Sequence, residues 1–301
     1  MAEGSAGARF ALVGPGRAGA TVALALIARG YIATAVAGRA PDAPSTTATA
    51  ACLDAKAVLV SKVGRRAAIV IIATPDAAIE ATTIAIAPSL ERNALVVHLA
   101  GSLGIGVFDG LLALRPDVRV GALHPLQSMP SVSMGLDRLP GSWAAIAGDP
   151  QVAELAEALE LRPFEVPDEQ RARYHATAVV ASNHLVALLG QVDRLAAAAG
   201  VPFEAFAPLA EASLLNVFGF GARAALTGPI SRGDLATVSD HLRELPPSER
   251  DAYRALAREA ARLADNRDSA LDRLLADLDS RATDPADPSG ATDDGGSEGD
   301  A

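Results

Sequence analysis

Hydrophobic residues are arranged differently in the two parts of the sequence. Up to about residue 166, short apolar runs alternate with longer stretches rich in Ala and Leu, and beyond that point only the longer stretches continue. Continuous apolar runs of strand length are typical of parallel strands that are covered on both faces. They predict strands at 10–13, 31–37, 67–73, 94–98, 118–123, 143–147 and 162–166. The pattern therefore predicts an α/β fold with a mostly parallel sheet, followed by an all-α C-terminal part.

The longer stretches predict helices and place the domain boundaries. In the first part, helices are expected at 21–28, 50–63 (with room for a short strand), 77–87 and 150–161, and a loop at 40–49. In the second part, they are expected at 168–199, 203–216, 218–226, 234–245 and 248–279. Asp168 is expected to cap the first of these, and Ser248 with Asp251 to form a capping box at the last. We predict domains at 1–166 and 167–279 and a disordered acidic tail at 280–301.

A glycine-rich turn lies between the first predicted strand and the first predicted helix. It fits G-x-G-x-x-G, and its six residues are predicted to contact a cofactor: Gly14, Pro15, Gly16, Arg17, Ala18 and Gly19. The three glycines of this motif permit a tight turn, close approach to a pyrophosphate, and close packing of helix on strand. The helix N-terminus then offers free N–H groups to the phosphates. We therefore predict a Rossmann-type dinucleotide-binding domain; the alternative is a strand–helix turn without a ligand.

The end of the second predicted strand indicates which dinucleotide binds. NAD-preferring Rossmann domains usually place Asp or Glu there, whereas this sequence has Arg39. The planar guanidinium can pair with the oxygens of a 2′-phosphate. Arg39 therefore favours NADP(H), and the alternative is a solvated surface arginine.

The carboxyl ends of the following strands border the crevice in which ligands bind in such folds. Thr74 and Pro75 end one of these strands and are predicted to line the nicotinamide side of the cofactor, with Asp76 as a helix N-cap. Hydride transfer also needs a group that polarises the substrate and a proton source.

Two histidines follow the next strands. His98 and His124 end consecutive predicted strands, and each is followed four residues later by a serine, Ser102 or Ser128. Because parallel strands end at the same edge of a sheet, these side chains are predicted to lie near each other. We predict His124 as a catalytic residue and both serines as substrate contacts.

The long helix predicted at 168–199 adds two further catalytic candidates. Asn183 is flanked by apolar residues, so we expect it to be buried and either to hold a substrate oxygen or to be a satisfied core amide. His175 lies about 80° round an ideal helix from it, near enough to share a cleft.

A polar connection in the helical part offers candidates for binding the substrate. Arg232 and Asp234 lie between two predicted helices and could anchor each other or a carboxylate substrate. The alternative is a helix connection with Asp234 as an N-cap and Arg232 as a surface charge.

The composition limits the classes of function. The sequence has 301 residues, a formal net charge of −10 and 50% hydrophobic residues. An acidic chain without a basic stripe argues against nucleic-acid binding, and no apolar run approaches the roughly 20 residues of a membrane span. The single cysteine, Cys52, fits a reducing compartment, and the scattered histidines give no metal site. We predict a cytoplasmic protein with a small-molecule substrate.

Six motifs together resemble one bacterial family. They are GPGRAG at 14–19, ATPD at 73–76, HLAGS at 98–102, HPLQS at 124–128, ASNH at 181–184 and TGPISRGD at 227–234. The sequence is similar to Rossmann-like proteins with a C-terminal helical domain of originally unknown function (DUF2520), related to ketopantoate reductases and the 6-phosphogluconate dehydrogenase-like superfamily. The resemblance implies an NADPH-dependent oxidoreductase acting on CH–OH, foremost a ketopantoate reductase of pantothenate biosynthesis. It also implies a homodimer.

One position departs from the pattern of those related enzymes. Conventional members use a helix lysine one turn before an asparagine, and here Val179 precedes Asn183. The sequence has two lysines, Lys56 and Lys62, both in the cofactor domain. We therefore predict that His124 or His175 is the proton donor.

Three other functions stay open at this point. An imine such as pyrroline-5-carboxylate arrives already activated and demands less acid catalysis, so an imine reductase fits the missing lysine. An F420-linked NADP oxidoreductase would share the cofactor domain. A non-catalytic NADP-binding sensor would need neither histidine.

Overall fold

The structure, a computed structural model, describes residues 7–265 and 269–277. The described chain forms two compact units, the first ending at Leu185 and the second beginning at Val186. The last strand ends at Glu165, so the boundary predicted after residue 166 coincides with the end of the sheet, and the first unit continues into the next helix. The acidic tail predicted at 280–301 lies outside the described residues.

The first unit contains an eight-stranded sheet in the order β3-β2-β1-β4-β5-β6-β7-β8. Its strands are Arg9–Val13 (β1), Ile32–Ala37 (β2), Lys56–Ala57 (β3), Ile69–Ile72 (β4), Leu95–His98 (β5), Arg119–Pro125 (β6), Trp143–Gly148 (β7) and Arg162–Glu165 (β8). Neighbouring strands are parallel except β6 and β7, which are antiparallel. The predicted α/β class with a mostly parallel sheet is confirmed, and the order of β1 to β6 is that of a Rossmann fold.

Helices cover the sheet because alternate strand residues form two apolar clusters. Phe10 and Leu12 belong to one cluster of buried side chains, and Ala11 and Val13 belong to the other. The helices of this unit are Arg17–Ala28 (α1), Pro44–Cys52 (α2), Asp76–Ile86 (α3), Asp109–Leu114 (α4), Val132–Arg138 (α5), Gln151–Ala158 (α6) and Arg171–Val179 (α7).

The segment 40–63 differs from its prediction. Helix α2 begins at Pro44, inside the predicted loop, because proline is well suited to the first turn of a helix. Asp54, with a φ of 50°, follows the end of this helix. The helix predicted at 50–63 therefore ends at Cys52, and the short strand that the prediction left room for is β3, followed by a 3₁₀ turn at Val60–Lys62.

The helix predicted at 168–199 is divided. A 3₁₀ turn at Asp168–Gln170 precedes α7, which leads into a π-helical segment at Val180–His184 and then helix Leu185–Ala198 (α8). Asp168 does not cap the helix as predicted. Its carboxylate instead accepts a hydrogen bond from the N–H of Gly106 at 3.2 Å.

The second unit is helical in its described residues. After α8 it contains Ala207–Phe220 (α9), Ala222–Ala225 (α10), Pro229–Arg232 (α11), Leu235–Glu244 (α12), Pro247–Ala264 (α13) and Ser269–Asp277 (α14). Its core cluster joins buried residues of α11 to α14: Ile230, Val238, Leu242, Ala257, Ala261, Leu271 and Leu275. The all-α character predicted for this part is confirmed.

The helix predicted at 248–279 starts within one residue of helix α13, but its predicted length and cap are wrong. Helix α13 begins at Pro247 without a side-chain cap, so Ser248 and Asp251 form no capping box. It ends before Asp265, which has a left-handed φ of 58°.

Across residues 7–265 and 269–277, no helix combines the length and apolar character that a membrane span requires.

Candidate active site at the carboxyl edge of the sheet

The glycine turn follows β1 at the point where the strand order reverses between β1 and β4. Gly14 has a φ of 92°, and a Cβ there would lie 2.5 Å from the carbonyl carbon of Ala73. A Cβ at Gly19 would lie 2.8 Å from the Cβ of Ala73, so α1 packs directly on the end of β4. A Cβ at Gly16, in contrast, would meet nothing within 4 Å. The turn is therefore closed toward the protein and open on its outer side.

The N-terminus of α1 lies at this open side. Gly16 is the N-cap residue and no side chain caps the first turn, in which Arg17 and Ala18 are exposed. Such a helix end offers N–H groups and a partial positive charge to an anion. The Arg17 guanidinium donates to the carbonyl oxygen of Pro130 at 3.2 Å and so connects the turn with the segment after β6.

Arg39 is exposed just beyond the end of β2. The preceding residue, Gly38, packs beside the glycine turn, since a Cβ there would lie 3.3 Å from the ring of Pro15. The buried hydroxyl of Thr46 lies against the α-carbon of Gly38 and has no hydrogen-bond partner among the described residues. A positively charged side chain therefore stands beside the turn and is open to solvent.

Asp76 is not the N-cap that the sequence predicts. Pro75 holds the cap position of α3 without a side-chain hydrogen bond, and Asp76 is the first residue of that helix. Its carboxylate accepts a hydrogen bond from the hydroxyl of Ser102. This bond connects the turn after β4 with the loop after β5, so Ser102 is anchored by Asp76. The hydroxyl of Thr74 is buried without a partner in the part of the chain that the structure describes.

His98 and His124 end neighbouring parallel strands, but the contacts of their side chains differ. His98 is fully buried, and both of its ring nitrogens are engaged. Nδ1 accepts from the N–H of Ala100 at 3.2 Å, and Nε2 lies 3.2 Å from the carbonyl oxygen of Gly104. Burial lowers the pKa of His98 to about 4. His98 therefore fixes the loop after β5 as a neutral imidazole.

His124 meets two side chains of helix α7. Its Nδ1 lies 2.8 Å from the hydroxyl of Tyr174, and its ring centroid lies 6.0 Å from that of His175. Both imidazoles lie over Gly101, where a Cβ would come within 2.8 Å of each ring. The absence of a side chain at Gly101 therefore permits the two histidines to meet beside the loop after β5.

The environment favours the neutral forms of His124 and Tyr174. Burial, with the nearby positive charges of His175 and Arg171, lowers the pKa of His124 to about 4. Burial also raises the pKa of Tyr174 to about 12. At neutral pH, His124 is an uncharged imidazole beside a protonated phenol.

A buried arginine lies behind these groups. Arg171 is 1% exposed, its Nε donates to the carbonyl oxygen of Val166 at 3.3 Å, and its terminal nitrogens have no hydrogen-bond partner among the described residues. Burial lowers its pKa, and the nearby charge of Asp168 opposes that effect. The positive charge of Arg171 contributes to the lowered pKa of both His98 and His124.

The position of Asn183 differs from the prediction that it is a buried residue. It is exposed within the π-helical segment and is not a buried amide. The hydroxyl of Ser182 lies 2.8 Å from both the Oδ1 of Asn183 and the carbonyl oxygen of Ala178. Asn183 is not buried because the described residues leave this part of the helix uncovered, and Val180 in the same segment is 57% exposed.

The structure also describes the surroundings of the other predicted substrate contacts, Ser128, Arg232 and Asp234. Ser128 is exposed, and its carbonyl oxygen accepts from Arg138 at 3.3 Å. In the second unit, Asp234 caps α12, accepting from the N–H of Thr237 at 3.1 Å and from its hydroxyl at 2.7 Å. Arg232 is exposed.

Two residues of the cluster were not assigned from sequence. Tyr174 directly precedes His175 in the sequence. This neighbouring phenol was the signal that could have added Tyr174 to the candidate site. Gly101 offers no side-chain chemistry, and its importance follows only from the two rings that occupy the space over it.

The fold and the glycine turn define a Rossmann-type α/β protein with a helical second unit. Residues 144–260 match the family model described as "Domain of unknown function (DUF2520)". This match contains two of the six motifs, ASNH and TGPISRGD, and confirms the resemblance to DUF2520 proteins. No curated protein matches the sequence significantly.

Solved structures share the fold. BF3122 from Bacteroides fragilis, a provisionally assigned NADP oxidoreductase, is 24% identical with a TM-score of 0.72, over 84% of this chain and 98% of that chain. Protein TM1727 from Thermotoga maritima is 23% identical with a TM-score of 0.66, over 85% and 98%. A pyrroline carboxylate reductase from Plasmodium falciparum, with NADP bound, is 12% identical with a TM-score of 0.54, over 91% and 99%. At these identities the similarity shows the fold.

Proposed function

We propose that the protein is an NADPH-dependent oxidoreductase that reduces the keto group of a small 2-oxo acid to an alcohol. The observation that carries this proposal is the meeting of His124 and His175 over Gly101, at the carboxyl edge of a sheet whose first strand leads into an open glycine turn. A reductase needs a dinucleotide site and polarising groups on the same edge of the sheet.

The residues around the glycine turn fit NADP(H), which supplies a hydride when it is bound. The space outside Gly16 and the uncapped end of α1 suit the pyrophosphate. Arg39 suits the 2′-phosphate, and Thr74 with Pro75 suits the nicotinamide side. Structural neighbours that are described as an NADP oxidoreductase or contain NADP support the choice of cofactor.

Substitution of Arg39 tests the choice between the two cofactors. Because charged hydrogen bonds contribute about 1.5–3 kcal/mol, Arg39→Ala should weaken NADPH binding by roughly 10–100-fold and leave NADH binding nearly unchanged. Titration calorimetry measures both affinities. Arg9→Ala, an exposed arginine at the opposite end of β1, is the control. An equal loss for both cofactors, or no loss, would contradict the role of Arg39.

The two histidines have different proposed roles. His124 is neutral at pH 7, because its pKa is lowered to about 4, so it acts as a hydrogen-bond donor to the substrate oxygen rather than as a charged acid. A preorganised donor of this kind stabilises the negative charge that develops on that oxygen. We assign proton delivery to His175, which is partly exposed to solvent.

The remaining predicted contacts are proposed to recognise the rest of the substrate. Ser102, held by Asp76, is the one nearest in sequence to Gly101. Asn183, Ser128, Arg232 and Asp234 stay predictions. Among them Arg232 is an exposed positive charge suited to a carboxylate.

Ketopantoate is the substrate we propose first, on the resemblance of the six motifs to a family that includes ketopantoate reductases. The test is a panel of 2-oxo acids with NADPH, in which the product alcohol is identified by mass spectrometry. Formation of pantoate at the highest kcat/KM is expected. Binding of NADPH without reduction of any member of the panel would contradict the proposal and favour a sensor.

A cyclic imine is a second candidate substrate, favoured by one observation. No lysine stands beside Asn183, and a protonated imine needs a hydride but no further proton at its reacting centre. The same panel should include pyrroline-5-carboxylate. Faster reduction of this imine than of every oxo acid would replace the first candidate with the second.

We also propose that the protein is a homodimer located in the cytoplasm. Helix α9 exposes six large apolar side chains, of which four are the most exposed: Leu209 (66%), Leu215 (72%), Phe218 (87%) and Phe220 (73%). Light scattering should give twice the chain mass, and Leu215→Glu combined with Phe218→Glu should halve it. Leu114→Glu, at a residue of the first unit with 58% exposure, is the control. A monomeric wild type would contradict the dimer.

A further inference from the structure

Tyr174 has no role in the chemistry described so far, although it holds His124 directly. Its hydroxyl lies 2.8 Å from Nδ1 of His124, and the two rings meet edge to face with centroids 5.6 Å apart. The other ring nitrogen, Nε2, lies beside Gly101. We propose that the Tyr174 hydroxyl donates to Nδ1 and thereby fixes His124 as the tautomer that carries its proton on Nε2, directed toward the substrate oxygen. Tyr174 is then a positioning residue.

The direction of this hydrogen bond follows from the chemistry of the two groups. An unprotonated imidazole nitrogen is an acceptor, and a neutral phenol is a donor whose proton is more acidic than the ring N–H of a neutral imidazole. The raised pKa of Tyr174 keeps its proton in place, and the lowered pKa of His124 leaves one nitrogen free to accept. With Nδ1 accepting, the single proton of the ring must be on Nε2.

The position of Tyr174 is set by neighbours on the sheet. The ring of Phe164, on β8, lies 5.8 Å from the ring of Tyr174, and the ring of Trp143, on β7, lies 6.0 Å from that of Phe164. These edge-to-face contacts hold the phenol in place. The tautomer of His124 is therefore a property of the folded chain before any cofactor or substrate binds.

The second unit contains a matched pair. His241 Nδ1 lies 2.8 Å from the hydroxyl of Tyr253, with the rings edge to face and centroids 5.9 Å apart. Tyr253→Phe removes the same hydrogen bond as Tyr174→Phe, but at a place to which no catalytic role is assigned. It is therefore the control for both experiments below.

The first experiment is two-bond ¹H–¹⁵N NMR of the imidazole rings in the wild-type protein at neutral pH. The sequence has five histidines, so His124→Gln assigns the His124 signals by their loss. We expect a protonated Nε2 and an unprotonated Nδ1 that is shifted by an accepted hydrogen bond. Tyr174→Phe should move that Nδ1 signal toward the position of a free acceptor, and Tyr253→Phe should not. A protonated Nδ1 in the wild type would overturn the inference.

The second experiment is kinetic and rests on the proposed reductase function. It tests whether the tautomer of His124 affects the rate of turnover. Tyr174→Phe should lower kcat by about 10-fold, with unchanged affinity for NADPH, because the donor loses its fixed orientation. Tyr253→Phe should leave kcat unchanged. An unchanged kcat in Tyr174→Phe would overturn the positioning role.

The two proposals can fail separately. If the NMR signals show the Nε2–H tautomer but no 2-oxo acid or imine is reduced, the proposed function fails and the assignment of the tautomer stands. If reduction is observed but Nδ1 carries the proton, the function stands and this inference fails.

Discussion

The protein contains two Tyr–His pairs that are almost the same in geometry. Tyr174 and His124 connect α7 with β6 in the first unit, and Tyr253 and His241 connect α13 with α12 in the second. Both hydrogen bonds measure 2.8 Å between the hydroxyl and Nδ1, and the ring planes meet at 84° and 89°. What separates the pairs is their surroundings.

The first pair lies at the carboxyl edge of the parallel strands, where ligands bind in folds of this kind. His124 ends a strand next to β5, beside a glycine loop and a second histidine, at the edge of the sheet that carries the dinucleotide turn. Burial brings the pKa of His124 to about 4, so a neutral donor is available at pH 7. The second pair joins two helices, and its hydrogen bond is exposed. The two pairs therefore differ in burial and in the strands and glycines around them, and not in the hydrogen bond itself.

Substitution of each histidine in turn should give the largest difference in kcat between the two pairs. His124→Ala should lower kcat by about 10²–10³-fold, the loss expected when one preorganised donor to a developing oxyanion is removed. His241→Ala should leave kcat unchanged, and both variants should bind NADPH normally. Steady-state kinetics with ketopantoate measures the rates. Equal effects of the two substitutions would show that His124 has no special role.

A single methyl group at Gly101 should have the next largest effect. The added Cβ would lie 2.8 Å from the rings of His124 and His175, so both must move. Displacement by about 1 Å can cost roughly 10²-fold in rate. Gly101→Ala should therefore lower kcat by about 10–100-fold. Gly190→Ala, on α8, is the control because a Cβ there has its nearest neighbour, the end of the Arg194 side chain, at 3.8 Å. A kcat of Gly101→Ala equal to that of Gly190→Ala would contradict the proposed crowding.

The pH dependence of stability should reveal the burial of His124 and of its neighbour His98. His98 and His124 have pKa values of about 4 in the folded protein, against about 6.5 when unfolded. Between these values the unfolded state binds more protons, so the free energy of unfolding increases with pH. The stabilisation is complete above about pH 6.5 and declines as the pH falls toward 4, by up to about 1.4 kcal/mol per pH unit for each histidine.

Urea denaturation between about pH 7 and pH 5 measures this slope. The window lies above the titration of Asp234 and Glu249, because the hydrogen bonds of these carboxylates lower their pKa values. His98→Gln should reduce the slope, since it removes the most completely buried histidine of the site. A slope that His98→Gln and His124→Ala both leave intact would contradict the neutral, buried state of these rings.

The sheet and the glycine turn were predictable because their signals are local. Seven of the strands that the structure contains were predicted, most of them from apolar runs, and the strand-turn-helix context identified the roles of Gly14 and Gly19. The delivery of His98 and His124 to one edge followed from parallel pairing. The short strand β3 and the start of α2 at Pro44 were harder, because two residues of strand carry no periodicity and proline is common in both loops and first turns.

The details of the site depended on contacts between distant residues. Asp76 resembled an N-cap in sequence, whereas its partner is Ser102 in the next loop. Asp168 looked like a helix start, whereas it holds Gly106. Asn183 was expected in a core because its helix is apolar, but apolar residues also occur on surfaces that the chain itself does not cover. Such partners come from tertiary packing, which a local pattern does not specify.

The decisive measurement is the initial rate of NADPH consumption by the wild-type protein with ketopantoate, with NADH in a parallel assay. We expect turnover that is much faster with NADPH than with NADH and that yields pantoate. No turnover with either cofactor, in a sample shown to bind NADPH, would contradict the proposed reduction of ketopantoate.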